Sequence, residues 1–395
     1  HGAIMLVALD CRPLQDGSLG RGIGSYLLNL LEQWSSPDNL RLVFVAEKPI
    51  PDLPILRHFK SLIYSPTPIL WRIPAHFANF LRSHQVELFH FSGQYNVIPL
   101  PLPYSVTVHD IMYFPLRKLE IEKATSPWQR IRWILDLVWM TLRAQRELRK
   151  AAGLIAVSQF TKDDLTVHLG IPAEMITVIH NGIDSDFLLA NPANRSVLKR
   201  YSLPAQFILT VAPFEERKNL RTMIKSCLAL EENIPLIIVT KRHPAPPADI
   251  QSLLDNNPEK IRLLTEISKP DLVALYQLAT VFLFATNYEG FGLPVLEAMA
   301  VGTPVITSTV TSLPEIAGNA ALLVDPHNPT SITQGLDQLL HDPEKRQDYV
   351  AKGFERVKLF SYKHAALETM RFFEKTISNS QTHTSAPKNT AHTLA

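Results

Sequence analysis

Apolar and polar positions along this chain follow two rhythms that alternate, and the whole alternation runs twice. Leu6-Val-Ala-Leu-Asp10 is an apolar run of buried-strand length, and Tyr26, Leu27, Leu30 and Leu31 then recur at helical spacing. Further strands are predicted at residues 42–45, 87–91, 105–108, 154–157 and 175–179. A long helix is predicted from about Pro127 to Lys150, and a shorter one from Thr161 to Leu169. Asn181-Gly182 is a turn signal, and a break follows near residues 182–204. The rhythm then restarts. Strands are predicted at 207–211, 235–240, 261–264, 281–285, 305–307 and 321–324, with a helix face of Leu220, Met223, Ile224, Cys227 and Leu228. Strand–helix alternation implies parallel sheets covered on both faces. The expected fold class is therefore α/β, with two Rossmann-like, doubly wound domains facing a central cleft. The expected bounds are 1–182 for the first domain, 183–204 for a linker and 205–355 for the second. Residues 356–377 read as a helical segment crossing back to the first domain, and the polar stretch 378–395 as a disordered tail. Ligands in such sheets bind outside the carboxyl ends of the strands, which points to the cleft.

Composition narrows the class. Among 395 residues, 39 basic side chains face 37 acidic ones, so overall charge makes no case for nucleic acid. Cys11 and Cys227 lie in apolar segments and read as buried free thiols in a reducing compartment, without metal-ligand spacing. No apolar run reaches the ~18 residues a membrane span needs. No secretory leader is legible, and the first residues, from His1, read as an appended stretch. A cytoplasmic location is the expectation. The segment from Trp128 to Lys150 extends it, because Trp128, Trp133 and Trp139 are interleaved with Arg130, Arg132, Arg143, Arg146, Arg149 and Lys150. Such a helix either covers the first sheet or lies on a membrane surface, which would make the protein peripheral at the inner face of the membrane.

The chemistry concentrates in a few loops. Glu289-Gly-Phe-Gly-Leu-Pro-Val-Leu-Glu297 sets two carboxylates across a glycine loop that enters a short helix. Gly290 and Gly292 let a ligand approach the backbone, and Pro294 suits a helix start. The amides around Phe291, Gly292 and Leu293 then attract an anion. Carboxylates beside a phosphate site must grip something else, and sugar hydroxyls are the obvious candidates. Arg217 and Lys218 follow a strand end, where they can neutralise a diphosphate leaving group. Gly22 and Gly24 precede a helix, but the long loop before them weakens a dinucleotide reading. His109-Asp110 ends a strand at the cleft edge. Asp184 and Asp186 have the spacing of a metal pair but lie away from any strand end, so no metal site and no cofactor is expected.

These residues resemble the retaining glycosyltransferases of family 4, which have the GT-B fold. The resemblance covers nearly the whole chain and implies that 1–182 is an acceptor-binding domain and 205–355 a nucleotide-sugar-binding domain. Glu289 and Glu297 match the family's paired glutamates, followed by Ala298-Met-Ala-Val-Gly302-Thr-Pro304-Val305. Gly22-Ile23-Gly24 with Tyr26, His109-Asp110, Ala156-Val-Ser158-Gln-Phe-Thr-Lys162 and Asn181-Gly-Ile-Asp184 fit it too. The segment ending Arg217-Lys218-Asn219 is similar to a subgroup that reads Gly-Thr-Leu-Glu-Pro-Arg-Lys-Asn and extends polysaccharides or lipid-linked glycans. The resemblance implies that Lys218 and Arg217 hold the donor diphosphate, Glu297 the ribose and Glu289 the donor sugar. It places the backbone from Phe291 through Val295 to Leu296 on phosphates and sugar, and Ile267 and Thr240 around the base. His109 would lie near the reacting face of the sugar. Two departures stand out: Ala212-Pro213 replaces a common Gly-Arg, and Thr240 and Thr265 replace strand-end glycines.

The expected activity is metal-independent, retaining hexosyl transfer from a nucleotide-sugar to a glycan or lipid-linked sugar acceptor. UDP-glucose is the first donor to consider and GDP-mannose the second. A sugar-nucleotide epimerase or hydrolase and a catalytically silent partner subunit are the alternatives.

Overall fold

Short apolar runs that are buried on both faces make parallel strands, and the chain builds two separate sheets from them. The computed structural model describes residues 5–15, 22–34, 40–46, 57, 59–64, 74–94, 97–122, 126–240 and 245–385. The first sheet contains β1 (Met5–Asp10), β2 (Leu40–Ala46), β3 (Lys60–Ile63), β4 (Leu88–Phe91), β5 (Tyr104–Val108), β6 (Gly153–Ala156) and β7 (Ile176–Val178). They are ordered β3-β2-β1-β4-β5-β6-β7, and every pairing is parallel. The order reverses between β1 and β4, which makes their carboxyl ends a topological switch point. Phe77, Phe89, Phe91 and Tyr104 are fully buried and meet largely edge to face, a favoured geometry for aromatic quadrupoles. His90, on the opposite face of β4 from Phe89 and Phe91, is buried and hydrogen-bonded to Ser105 Oγ (2.8 Å) and Thr107 Oγ1 (3.0 Å). Burial, with His109 nearby, lowers its pKa to about 3, so its imidazole is neutral.

The last helix, Tyr362–Ser385, belongs to this first unit from Lys363 onward. Phe373 meets His90 at 4.9 Å, and a Cβ on Gly153 would lie 3.0 Å from the Phe372 ring. The helix corrects the expected tail, because it runs on through Ser378 to Ser385. Ser378 and Ser380 donate to the carbonyls of Glu374 and Thr376 four residues earlier, and Gln381 Nε2 donates to Glu87. The polar composition that suggested disorder is accommodated within a helix anchored by Met370, Phe373 and Ile377. Residues 386–395 lie outside the described residues.

The second sheet contains β8 (Ile208–Val211), β9 (Leu236–Thr240), β10 (Ile261–Thr265), β11 (Val281–Phe284), β12 (Val305–Ser308) and β13 (Leu322–Val324). Its order is β10-β9-β8-β11-β12-β13, again all parallel, with a switch point between β8 and β11. Leu220, Met223, Ile224 and Cys227 pack beneath it, as their helical spacing predicts. Residues 183–204, where a linker is expected, instead form helices Ser185–Leu188 and Ser196–Arg200. Arg200 and the Tyr201 hydroxyl both bond Asp271, and Phe187 lies 5.6 Å from the Tyr276 ring. This stretch is part of the second unit, which spans residues 180–362 together with 158–161. Gly182 is required there, since a Cβ would lie 2.0 Å from the backbone nitrogen of Tyr362. Among the described residues no helix is long and apolar enough to cross a membrane.

Candidate active site

The loops leaving β8 and β11 flank the switch point of the second sheet, and the candidate charges sit on them. Asn219 makes the first loop possible. It adopts the left-handed region (φ 57°), which asparagine tolerates, and its Nδ2 donates to the carbonyls of Ala285 and Pro326 at 2.9 and 2.8 Å. A backbone bond from Asn287 N to Arg217 O (2.8 Å) joins the two loops. Lys218 is thereby buried with its Nζ 2.7 Å from Glu289 Oε1, over the Phe284 ring. Arg217 lies 3.4 Å from the other Glu289 oxygen and 2.7 Å from Glu215. Two cations and a buried carboxylate therefore converge at one strand edge. A buried ion pair is costly to break by removing one partner, so these groups hold one another in place. Thr240 and Ile267 follow along the same edge. Thr240 pairs with Thr265 at the ends of β9 and β10, and Ile267 comes two residues later.

The glycine loop between the glutamates is held by its carbonyls. Ser312 Oγ lies within hydrogen-bond reach of Glu289 O (2.9 Å) and Phe291 O (2.8 Å). Gly290 O accepts from Ser158 Oγ (2.6 Å) and Thr161 Oγ1 (3.0 Å). The amides of Gly290, Phe291, Gly292 and Leu293 have no acceptor among the described residues. Pro294, the second residue of helix Leu293–Ala300, has no N–H to place. Successive unpaired amides at a helix start form an anion-binding concavity. Gly292 supplies the bend at φ +112°, where a Cβ would also strike Leu313. Val295 is a correction to the expected site. Its N–H donates to Gly292 O (3.0 Å) and its side chain is fully buried, so it is committed to the helix and the core. Ser312→Ala should cost about 1–3 kcal/mol, because the one hydroxyl proton shared by two buried carbonyls is lost, and should weaken nucleoside diphosphate binding. Urea unfolding and calorimetry together check this; unchanged affinity would mean that the loop needs no such tie.

Glu297 lies on that helix and accepts from the Tyr276 hydroxyl (3.0 Å). Burial raises its pKa to about 7, opposed by the Tyr276 hydrogen bond, with Asp184 raising it further and Lys269 lowering it. An unfolded glutamate titrates near 4.3, so the folded protein keeps this proton to higher pH than the unfolded chain. Stability should therefore fall as pH rises from about 4.3 through about 7, by at most about 4 kcal/mol. Glu297→Gln should flatten that slope, as read by urea midpoints at pH 5 and pH 7.5. Asp184 and Asp186 both pair with Lys269, at 2.6 and 2.7 Å, and the Asp184 side chain caps its own short helix. The one lysine offsets one of their two negative charges.

The first unit assembles its own cluster at the β1/β4 switch point. Ser92, just after β4, donates from Oγ to Asp10 O (2.9 Å), and its carbonyl accepts from His109 Nε2 (3.0 Å). A carbonyl can only accept, so Nε2 carries the proton and Nδ1 keeps the lone pair in the neutral ring. Burial lowers the His109 pKa, against the Ser92 hydrogen bond and Asp110, so that neutral form is favoured. The Tyr26 ring meets His109 edge-on at 4.8 Å. Gly22, at φ +53°, and Gly24 open the same helix as Tyr26. Ile23 between them packs where a Gly93 Cβ would lie 2.6 Å away. The structure thus brings Gly22, Gly24 and His109 to one strand edge, while the loop 16–21 lies outside the described residues.

Sequence reasoning assigned no role to Tyr276, Ser312, Lys269, Thr311 or the His180–Glu315 pair. Glu315 accepts from His180 Nε2 (2.7 Å) and from the amides of Gln159 (2.8 Å) and Phe160 (3.0 Å). Burial opposes its ionisation, yet those donors hold its carboxyl below the usual range. Thr311 Oγ1 accepts from Glu289 N. The only available signal was Ser158 and Thr161 within the matched Ala156–Lys162 segment.

Comparison with known proteins identifies the family. Residues 20–187 match the model described as Glycosyltransferase Family 4, and residues 200–356 match Glycosyl transferases group 1. The O-antigen chain mannosyltransferase B of Escherichia coli is 30% identical over 302 residues, covering 74% of this chain and 76% of that protein. The solved sucrose-phosphate synthase from Thermosynechococcus elongatus superposes with TM-score 0.70 at 19% identity, covering 95% of this chain and all of that one. An Anabaena HepE structure in complex with UDP-glucose gives TM-score 0.67 at 15% identity, covering 94% of this chain and all of that one. The chain belongs to the family 4 glycosyltransferases of the GT-B fold. It is a retaining hexosyltransferase that uses a nucleotide-sugar donor and a glycan or lipid-linked acceptor.

Proposed function

We propose that the enzyme transfers mannose, from a donor such as GDP-mannose, to a growing glycan. The reading of the site rests on one observation: the Lys218–Glu289 pair lies beside four unpaired amides at the β8/β11 switch point. The choice of mannose comes from the curated relatives, because the Escherichia coli protein at 30% identity is a mannosyltransferase. UDP-glucose is the second reading, favoured by the HepE complex, which resembles this chain in fold.

In this mechanism the diphosphate sits on the loop amides, with Lys218 and Arg217 against its charge. The bond between the anomeric carbon and the phosphate oxygen breaks through an oxocarbenium-like state. Stabilising the departing diphosphate is the main electrostatic contribution. Glu289 is held by Lys218 and takes donor-sugar hydroxyls instead of attacking. The acceptor oxygen bonds to the same face of the anomeric carbon, and the leaving diphosphate takes its proton. Glu297 holds the ribose, Thr240 and the Ile267 backbone flank the base, and neutral His109 supports the reacting face of the sugar. Location at the inner face of the membrane is part of the same proposal.

A thermal-shift panel of nucleotides and sugar nucleotides tests the donor. A ligand at 100 times its Kd stabilises a fold by about 2.7 kcal/mol. GDP-mannose should give the largest shift; a larger shift with UDP-glucose would reverse the order. Product analysis with and without acceptor separates transfer from epimerisation or hydrolysis, and turnover itself excludes a silent partner subunit.

A further inference from the structure

We infer that the outer face of helix Pro127–Arg149 docks the protein on an anionic lipid bilayer. Of its large apolar side chains, Trp128, Ile131, Ile134, Leu135, Val138, Trp139 and Leu142 are exposed, Trp128 at 81% and Trp139 at 61%. At 100° per residue these positions fall within one arc about 140° wide. The opposite arc, with Trp133, Leu137, Met140, Ala144 and the buried Leu148, is partly or fully covered by the first unit. The helix therefore has two apolar faces, and only one has a partner within the described residues. An exposed stripe of this size marks a contact surface.

Charge selects the occupant. The helix carries five arginines against Asp136 and Glu147, and Lys150 follows it. Arg132, Arg143 and Lys150 are exposed and border one edge of the stripe, and exposed Arg146 continues its arc beyond Leu142. Arg143 lies over the Trp139 ring at 5.5 Å. Tryptophans with bordering cations fit the boundary between acyl chains and anionic headgroups. A second copy would bring like charge against like charge, and the arc is wider than a narrow helix–helix seam.

The face also adjoins the site. A cavity of about 280 Å³ behind Trp139 is walled by Ile111, Phe114, Met140 and Leu148, together with Gln94 and Asp110. Gln94 Oε1 accepts from His109 N (3.1 Å), so the docking helix and the candidate catalytic edge share a wall. This places a lipid-anchored acceptor on the same side of the first unit as His109.

The test is flotation of the full chain with vesicles of phosphatidylglycerol and phosphatidylcholine, against phosphatidylcholine alone. Binding should need the anionic lipid and weaken at high salt. The variant Trp128→Ser, Leu135→Ser, Trp139→Ser should lose at least ten-fold in bound fraction. Its thermal unfolding and nucleoside diphosphate binding should stay unchanged. Arg132→Glu with Arg146→Glu should lose a similar factor and most of the salt dependence. Quenching of wild-type tryptophan fluorescence by brominated lipid needs no variant and should accompany binding. Equal binding to neutral vesicles, full binding by the serine variant, or no quenching would overturn the proposal. So would a dimer in ultracentrifugation that is abolished by the serine substitutions, without vesicle binding. These readouts do not depend on the donor or on transfer.

Discussion

Lys218→Ala should leave a folded protein whose transfer rate is lower by about 10²-fold or more, the usual scale for losing one oriented electrostatic stabiliser. The effect is large because Lys218 has two tasks. It offers its charge to the diphosphate, and it holds Glu289 at 2.7 Å. Its removal leaves a buried carboxylate facing Arg217 at the longer distance of 3.4 Å, which also costs stability. Lys218→Ala with Glu289→Gln should recover much of that stability and none of the activity. Steady-state transfer and thermal unfolding of both variants separate the two tasks. Near-wild-type turnover in folded Lys218→Ala would remove the lysine from the mechanism.

Glu289→Gln and Glu297→Gln should fail in different ways. Glutamine at 289 gives up the ion pair and frees the Lys218 charge for phosphate. Affinity for the bare nucleoside diphosphate should then hold or rise, while transfer falls by about 10²-fold, because contacts to the reacting sugar count most as charge develops there. Glutamine at 297 should weaken the diphosphate itself by about 10-fold or more, the scale of a hydrogen bond to a charged group. Calorimetry with the diphosphate beside turnover decides it. Equal loss of affinity in both variants would mean that the two glutamates do not divide sugar from ribose.

What was legible in the chain was local. Strand and helix periodicity placed nearly every strand of both sheets, because buried parallel strands are short, continuous apolar runs. The strand Lys60–Ile63 escaped because it is an edge strand only four residues long, opening on a lysine. Glu289, Glu297 and Lys218 were legible because glycines and charges crowd a strand end. The groups that orient them were not, because each acts across a long stretch of chain. Ser158 reaches Gly290, Ser312 reaches back to Glu289 and Phe291, and Tyr276 reaches Glu297. Val295 shows the opposite limit. Its place in the loop suggested a ligand contact, but helix geometry had already used its amide.

The chain's return to its first unit has a consequence for recombination. Residues 363–385 complete the packing around His90, Trp34 and Gly153, whereas residues 180–362, with the short segment 158–161, form the other unit. A single breakpoint therefore cannot exchange one half for that of a relative. A graft that changes donor choice has to be an internal cassette with two junctions, leaving both ends of the polypeptide from the same parent. A one-junction chimera should expose Phe372 and Phe373 to foreign neighbours and be cleared by proteolysis before its specificity can be read.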